Sequence, residues 1–326
     1  MSATHKKLMP LWVSSLIILS TLFVSNCRTP DHDQKYQSKS ESRVILHKNK
    51  KRNYSIYIPV SYERHKPLPL VIVLHGGGGT GKGMEETLTL GEWNSLADKN
   101  GFVVVYPDGI QKRWNDGRTD IHSYAHNQNI DDVGFISSLI DQLSFELNID
   151  QQRIYATGIS NGGMMSFRLA CQLSHKIAAI AAVTASMSET FTYEPSTPIS
   201  VLIINGTDDP LVPYSGGEIR FLRRTHGKVK STDDTFSFWR KHNKCDRTSL
   251  RVNRFNKIDS DGTSVNHKVY GNCQQKTEVI LYSIEGGGHT WPQGFQYLPE
   301  GLIGKTSQEI DATSTIWIFF KNHPKF

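Results

Sequence analysis

A chain of 326 residues can build one large α/β domain or at most two small ones. Hydrophobic residues make up 37% and charged residues 21%, an apolar content that fits a folded core and excludes a disordered chain. The formal net charge is +6, of which Lys6 and Lys7 fall in a segment expected to be removed; the remaining excess demands no nucleic-acid partner.

Lys6 and Lys7 precede an apolar run from Met9 to Ser25. It is marginal for the ~20 residues of a membrane span and sits where a signal peptide has its hydrophobic region. The run ends in Val24-Ser25-Asn26-Cys27, which resembles a bacterial lipobox except at Asn26, where Gly, Ala or Ser is usual. Residues 1–26 therefore read as a signal peptide, with two readings open after it: Cys27 as a lipidation site that would hold the protein at a membrane surface, or simple cleavage and secretion. Residues 27–42 read as a polar, flexible tether and 43–326 as the folded domain. The expected location is outside the cell or in its envelope.

Val44 to Pro59 reads as two strands joined by a solvated basic tip, Lys48-Asn49-Lys50-Lys51-Arg52. Leu68–Leu74 and Phe102–Tyr106 are nearly continuous apolar runs, as buried parallel strands are. Between Asp132 and Leu147, the residues Val133, Ile136, Ile140, Leu143 and Leu147 recur at three- and four-residue steps, predicting a helix capped by Asp131 or Asp132. A short strand at Arg153–Ala156 leads to a helix from Asn161 to about Leu173. Further strands are expected at Ile177–Val183, Ile199–Ile204 and Val279–Ile284, a capped helix from Ser231, and a closing helix at Ile310–Phe320. Strands alternating with helices predict an α/β fold, a mainly parallel sheet covered on both faces without a large cap domain.

Cys171 sits in an apolar helical stretch and reads as a buried small hydrophobe. Cys245 and Cys273 flank a polar, loop-rich segment and are candidate disulfide partners in an exported protein; a pairing through Cys171 stays open.

Gly158-Ile159-Ser160-Asn161-Gly162 is a G-x-S-x-G motif between a strand and a helix, a sharp turn that pushes the serine hydroxyl outward. A serine hydroxyl needs a base beside it to act as a nucleophile. His289, on the glycine-rich loop Gly286-Gly287-Gly288 after the last long strand, is that base. Asp209, last in the polar turn Asn205-Gly206-Thr207-Asp208-Asp209 before Pro210, is preferred over Asp208 as the acid that orients it. The order Ser160, Asp209, His289 is the one this architecture uses. His75-Gly76-Gly77-Gly78-Gly79, directly after a strand, can aim backbone N–H groups at a developing oxyanion; Gly77 and Asn161 are the expected donors, with His75 holding the loop.

Together these segments resemble the polyhydroxybutyrate depolymerase / feruloyl esterase group of α/β-hydrolases. Those that carry the resemblance are Leu68–Gly79 (LPLVIVLHGGGG), Tyr106–Gly109, Trp114-Asn115, Asp131–Phe135, Gly158–Met164 (GISNGGM), Gly206–Tyr214 (GTDDPLVPY) with Gly216-Gly217, and Gly286–Pro292 (GGGHTWP). The resemblance implies a serine carboxylic-ester hydrolase with Ser160, Asp209 and His289 as its triad, a pairing of Cys245 with Cys273, and no metal or organic cofactor. The implied substrates are short hydroxyalkanoate, feruloyl or acetyl esters, some of them polysaccharide-derived. No appended polymer- or carbohydrate-binding module is found past Arg43, which counts against action on an insoluble polymer. Trp114, Asn115, Tyr214 and Trp291 lie on loops near the expected mouth and are candidate substrate contacts.

Three other patterns point to nothing further. Gly76 to Lys82 imitates a phosphate-binding loop but is followed by Gly83 instead of a magnesium-binding Ser or Thr. His122, His126, Asp131 and Asp132 lack tight metal-ligand spacing and read as a loop. Arg220, Arg223, Arg224, Lys228 and Lys230 read as a solvated basic face.

Overall fold

In the computed structural model, residues 40–222 and 224–325 are described. The expected signal peptide, Cys27, nearly all of the tether and Arg223 lie outside the described residues. In chain order the elements are β1 (Glu41–His47), β2 (Lys50–Tyr57), β3 (Leu68–Leu74), α1 (Glu92–Asn100), β4 (Val103–Pro107), α2 (Tyr124–Asn127), α3 (Asp132–Glu146), β5 (Ile149–Ile159), α4 (Asn161–Gln172), β6 (Ala179–Val183), β7 (Ser200–Gly206), β8 (Gly217–Phe221), β9 (Arg224–Val229), α5 (Thr232–His242), β10 (Leu250–Phe255), β11 (Ser264–Tyr270), β12 (Val279–Glu285), α6 (Glu300–Ile303) and α7 (Ala312–Asn322). β1 begins at Glu41, so the last two residues of the expected tether already pair in the sheet.

Ten strands form one sheet in the order β1-β2-β4-β3-β5-β6-β7-β12-β11-β10. The six strands from β4 to β12 in that order are parallel, and each margin is closed by antiparallel pairs. Side chains alternate across the pleat, so β3 serves two cores. Leu70, Ile72 and Leu74 pack with α3, α4 and α5 through Phe135, Leu139, Phe167 and Trp239. Val71 and Val73 face the other way, toward Trp93 of α1 and Trp317 and Phe320 of α7. Burial on both faces explains why β3 reads as an unbroken apolar run.

The helix caps follow from the side chains before each first turn. Asp131 accepts from the Gly134 N–H at 2.9 Å, Ser231 from Asp234 at 3.0 Å and Asp311 from Ser314 at 3.1 Å. Asp234 accepts the Ser231 hydroxyl at 2.7 Å.

Two expectations are corrected. The basic tip is a two-residue turn at Lys48 and Asn49, both with positive φ, and Arg52 is buried in β2, paired with Asp132 at 2.6 Å. The segment between Cys245 and Cys273 holds β10 and β11, which extend the sheet; the two cysteines are joined in a disulfide. Arg220, Arg224 and Lys228 are exposed on a separate hairpin, β8–β9, in keeping with a solvated basic face.

Candidate active site

Two strand registers bring the four sequence segments together. Leu74 at the end of β3 is level with Gly158 of β5, so the glycine loop after β3 meets the turn after β5. Gly206 of β7 is level with Ile284 of β12, which brings the loops carrying Asp209 and His289 side by side. Because β4 lies on one side of β3 and β5 on the other, the first meeting place is a switch point of the parallel sheet, where the loops diverge and leave a crevice.

Ser160 occupies the turn between β5 and α4 with φ 55° and ψ −121°, a strained conformation for a residue with a side chain. Its N–H donates to Val183 O at 2.9 Å. The turn is possible only because its flanking residues are glycine. A Cβ on Gly158 would stand 2.7 Å from Leu74 O, and one on Gly162 would stand 2.4 Å from the same oxygen.

His289 is buried and its Nδ1 bonds Asp209 Oδ2 at 2.7 Å. The other carboxylate oxygen, Oδ1, accepts the N–H groups of Leu211 and Val212, both at 2.8 Å. Asp209 is thus locked from both sides, while Asp208 is exposed and accepts from its neighbour Thr207. With Nδ1 committed as a donor, His289 keeps Nε2 to accept a proton.

The loop after β3 is fixed by His75, which donates from Nδ1 to Gly76 O at 2.7 Å and accepts the Gly109 N–H at Nε2, at 2.9 Å. Burial pushes its imidazole below the usual range, consistent with a neutral ring in that role. Gly78 and Gly79 already donate to Lys112 O and Gly76 O. Gly77 lines the cavity, and Asn161, the first residue of α4, has an N–H with no partner inside the helix.

A buried polar network behind the serine was not anticipated from sequence. The Asn161 side chain accepts the Trp114 N–H at 2.8 Å and donates to Trp114 O at 3.0 Å and Asp116 Oδ2 at 2.6 Å. Asp116, fully buried, also pairs with Arg118 at 2.6 Å and His126 at 3.0 Å. Burial alone would raise its carboxyl, but the charge of Arg118 and the hydrogen bonds from His126 and Arg118 outweigh this and hold it well below the usual range. His126, Asp131 and Asp132 are therefore engaged in ion pairs and a helix cap; among the described residues no group of three or more His, Cys, Asp or Glu could hold a metal.

Ser160, Asn161, Gly77 and His289 line one cavity of about 530 Å³. The four expected substrate contacts do not line it. Trp114 is fully buried, its Nε1 donating to His75 O; Asn115 is tied to Ile130 O; Trp291 is buried and donates to Thr313; Tyr214 bonds Ser283. These side chains hold loops in place instead. The walls come from Met84 and Leu88, from Leu211 and Tyr297, and from Ile219 and Phe221 on the β8–β9 hairpin.

The sequence pattern of the phospholipase/carboxylesterase family matches residues 57–255, well over half of the chain. The chain belongs to the phospholipase/carboxylesterase family. It is 30% identical over 257 residues to NocK of Nocardia uniformis subsp. tsuyamanensis, a protein named as an esterase, covering 76% of this chain and 72% of that one. Feruloyl esterase B of Piromyces equi is 29% identical over 74% of this chain, which spans 43% of that longer protein. Feruloyl esterase C of Emericella nidulans is 27% identical, with 62% of this chain and 72% of that one aligned. Among solved structures, acetyl xylan esterase from Aspergillus awamori superposes with a TM-score of 0.53 at 16% identity, covering 86% of this chain and 99% of that one, a likeness of fold. This family member is thus an esterase built on the α/β-hydrolase sheet.

Proposed function

We propose that the protein is an exported serine esterase that cleaves feruloyl, acetyl or short hydroxyalkanoate esters through an acyl-enzyme. The observation that carries this reading is the Asp209–His289 pair at 2.7 Å in the cavity that Ser160 lines. In this mechanism the Ser160 hydroxyl attacks the ester carbonyl while His289 Nε2 takes its proton. Asp209 holds the imidazole in the required tautomer. The N–H groups of Gly77 and Asn161 stabilise the oxyanion. The alcohol leaves with the proton from His289, and a water deprotonated by the same nitrogen releases the acid. Relatives named as feruloyl esterases support the acyl class. The Cys245–Cys273 disulfide supports maturation in an oxidising compartment, in keeping with the apolar N-terminal run.

The test is hydrolysis of p-nitrophenyl acetate and butyrate, methyl ferulate, acetylated xylan and hydroxybutyrate oligomers by the purified protein. Ser160→Ala is expected to lower turnover by roughly a million-fold; near-wild-type hydrolysis by that variant would end the proposal.

A further inference from the structure

We propose that Arg113 binds an anionic group, a carboxylate, on the ester substrate, so that the preferred ester is a charged one. The inference rests on the esterase reading of the same cavity and adds the substrate's charge to it.

Three cationic side chains, Lys112, Arg113 and Arg118, line the cavity, and among the described lining residues there is no Asp or Glu. Arg118 is already engaged: it forks onto Asp116 through Nε and Nη2 and donates from Nη1 to His226 O. Asp116 in turn is shared by Arg118, His126 and Asn161, which satisfies its two oxygens. Arg113 has no ion pair among the described residues, although it is half-buried. An arginine fork in that position, beside apolar walls, is a ready partner for a carboxylate, which it can hold through two parallel N–H···O bonds.

Its position ties it to the reaction. A Cβ placed on Gly77 would stand 3.1 Å from Arg113 Nη1 and 3.4 Å from Cζ, so the guanidinium lies against the proposed oxyanion loop. A carboxylate held there is joined to the scissile carbonyl by a short chain, as in a dicarboxylic half-ester or the acid end of a hydroxyacid oligomer. Burial, with the charges of Arg113, Arg118 and Arg224, lowers the His226 imidazole, so the neighbouring ring adds no further charge near neutral pH but reports a positive local potential.

The experiment compares methyl hydrogen glutarate with methyl pentanoate, esters alike in length that differ in a terminal carboxylate. The wild type should show higher kcat/KM on the charged ester. In Arg113→Met the charged-to-neutral ratio should fall about tenfold to a hundredfold, the range for a hydrogen-bonded charged pair, with Arg113→Lys between the two. Calorimetry of glutarate with Ser160→Ala separates this claim from the esterase reading, because it needs no turnover. Binding that weakens at least tenfold when Arg113→Met is added supports the assignment even if neither ester is cleaved. A ratio unchanged in a folded Arg113→Met protein, or no glutarate binding to Ser160→Ala, overturns it.

Discussion

Asn161 donates from Nδ2 to Asp116 Oδ2 across 2.6 Å, anchoring the residue after Ser160 to a buried carboxylate that the side chains of Arg118 and His126 also hold. The same carboxamide grips both polar backbone atoms of Trp114. The start of α4 is therefore held by side-chain bonds as well as by the strand before it.

Asp116→Asn removes the charge facing Arg118, and both side chains are buried. Breaking one partner of a buried pair costs about 3–5 kcal/mol. A clear fall in the urea midpoint is expected, together with lower kcat, because Asn161 loses its fixed partner. An unchanged midpoint would contradict the network's structural role.

Asp209→Asn should lower kcat by about four orders of magnitude, by favouring the wrong imidazole tautomer. Asp208→Asn should leave kcat near wild type, since Asp208 is exposed and its carboxylate accepts only from its neighbour Thr207. Steady-state kinetics on one ester decide between the two acids.

Asp131 links the charge on the surface to pH. Burial pushes its carboxyl up, but Lys48, the Gly134 N–H and His47 pull it down further, to about 2. An acid whose folded pKa lies below its unfolded value of about 3.9 stabilises the fold above that value and loses the effect as pH falls. Asp131→Asn keeps a capping side chain but removes the charge. The wild type's advantage in urea should be full at pH 6 and shrink steadily between about pH 4 and pH 2.

Cys273→Ser opens the loop closed by the disulfide, whose ends are 28 residues apart. The chain-entropy relation gives about 3–4 kcal/mol for such a loop. Melting with and without reductant should show the loss in the wild type and no reductant effect in the variant. Cys171→Ala should retain the reductant effect, because that thiol is buried and free.

The parts of the fold that were legible in the sequence are those buried on both sides. β3 coincides with the Leu68–Leu74 run, and α3 with the stepped apolar residues after Asp131. The strand–serine–helix turn was readable because its glycines meet backbone atoms that admit no side chain. β10 was missed because it is a margin strand with five exposed residues and a half-buried one, so no alternation marks it. Trp114 and Trp291 pointed the wrong way because a loop aromatic can be buried as a strut as readily as displayed to a ligand. Asp116 and Arg118 stand two residues apart in a polar stretch, and only the folded chain shows that they meet behind Asn161.

The level ends of β3 and β5 carry one more consequence. Gly162→Ala would force its methyl to 2.4 Å from Leu74 O and 2.6 Å from His75 O. Both are backbone atoms, so the strand itself would have to yield, and loss of soluble protein is the expected outcome on expression. The turn that aims Ser160 is thus confined by main chain on one side, whereas Ile219 and Phe221 belong to the β8–β9 hairpin, which lies outside the ten-stranded sheet. Exchanging Ile219 and Phe221 is therefore expected to change which esters fit the cavity while the turn that carries Ser160 is left intact.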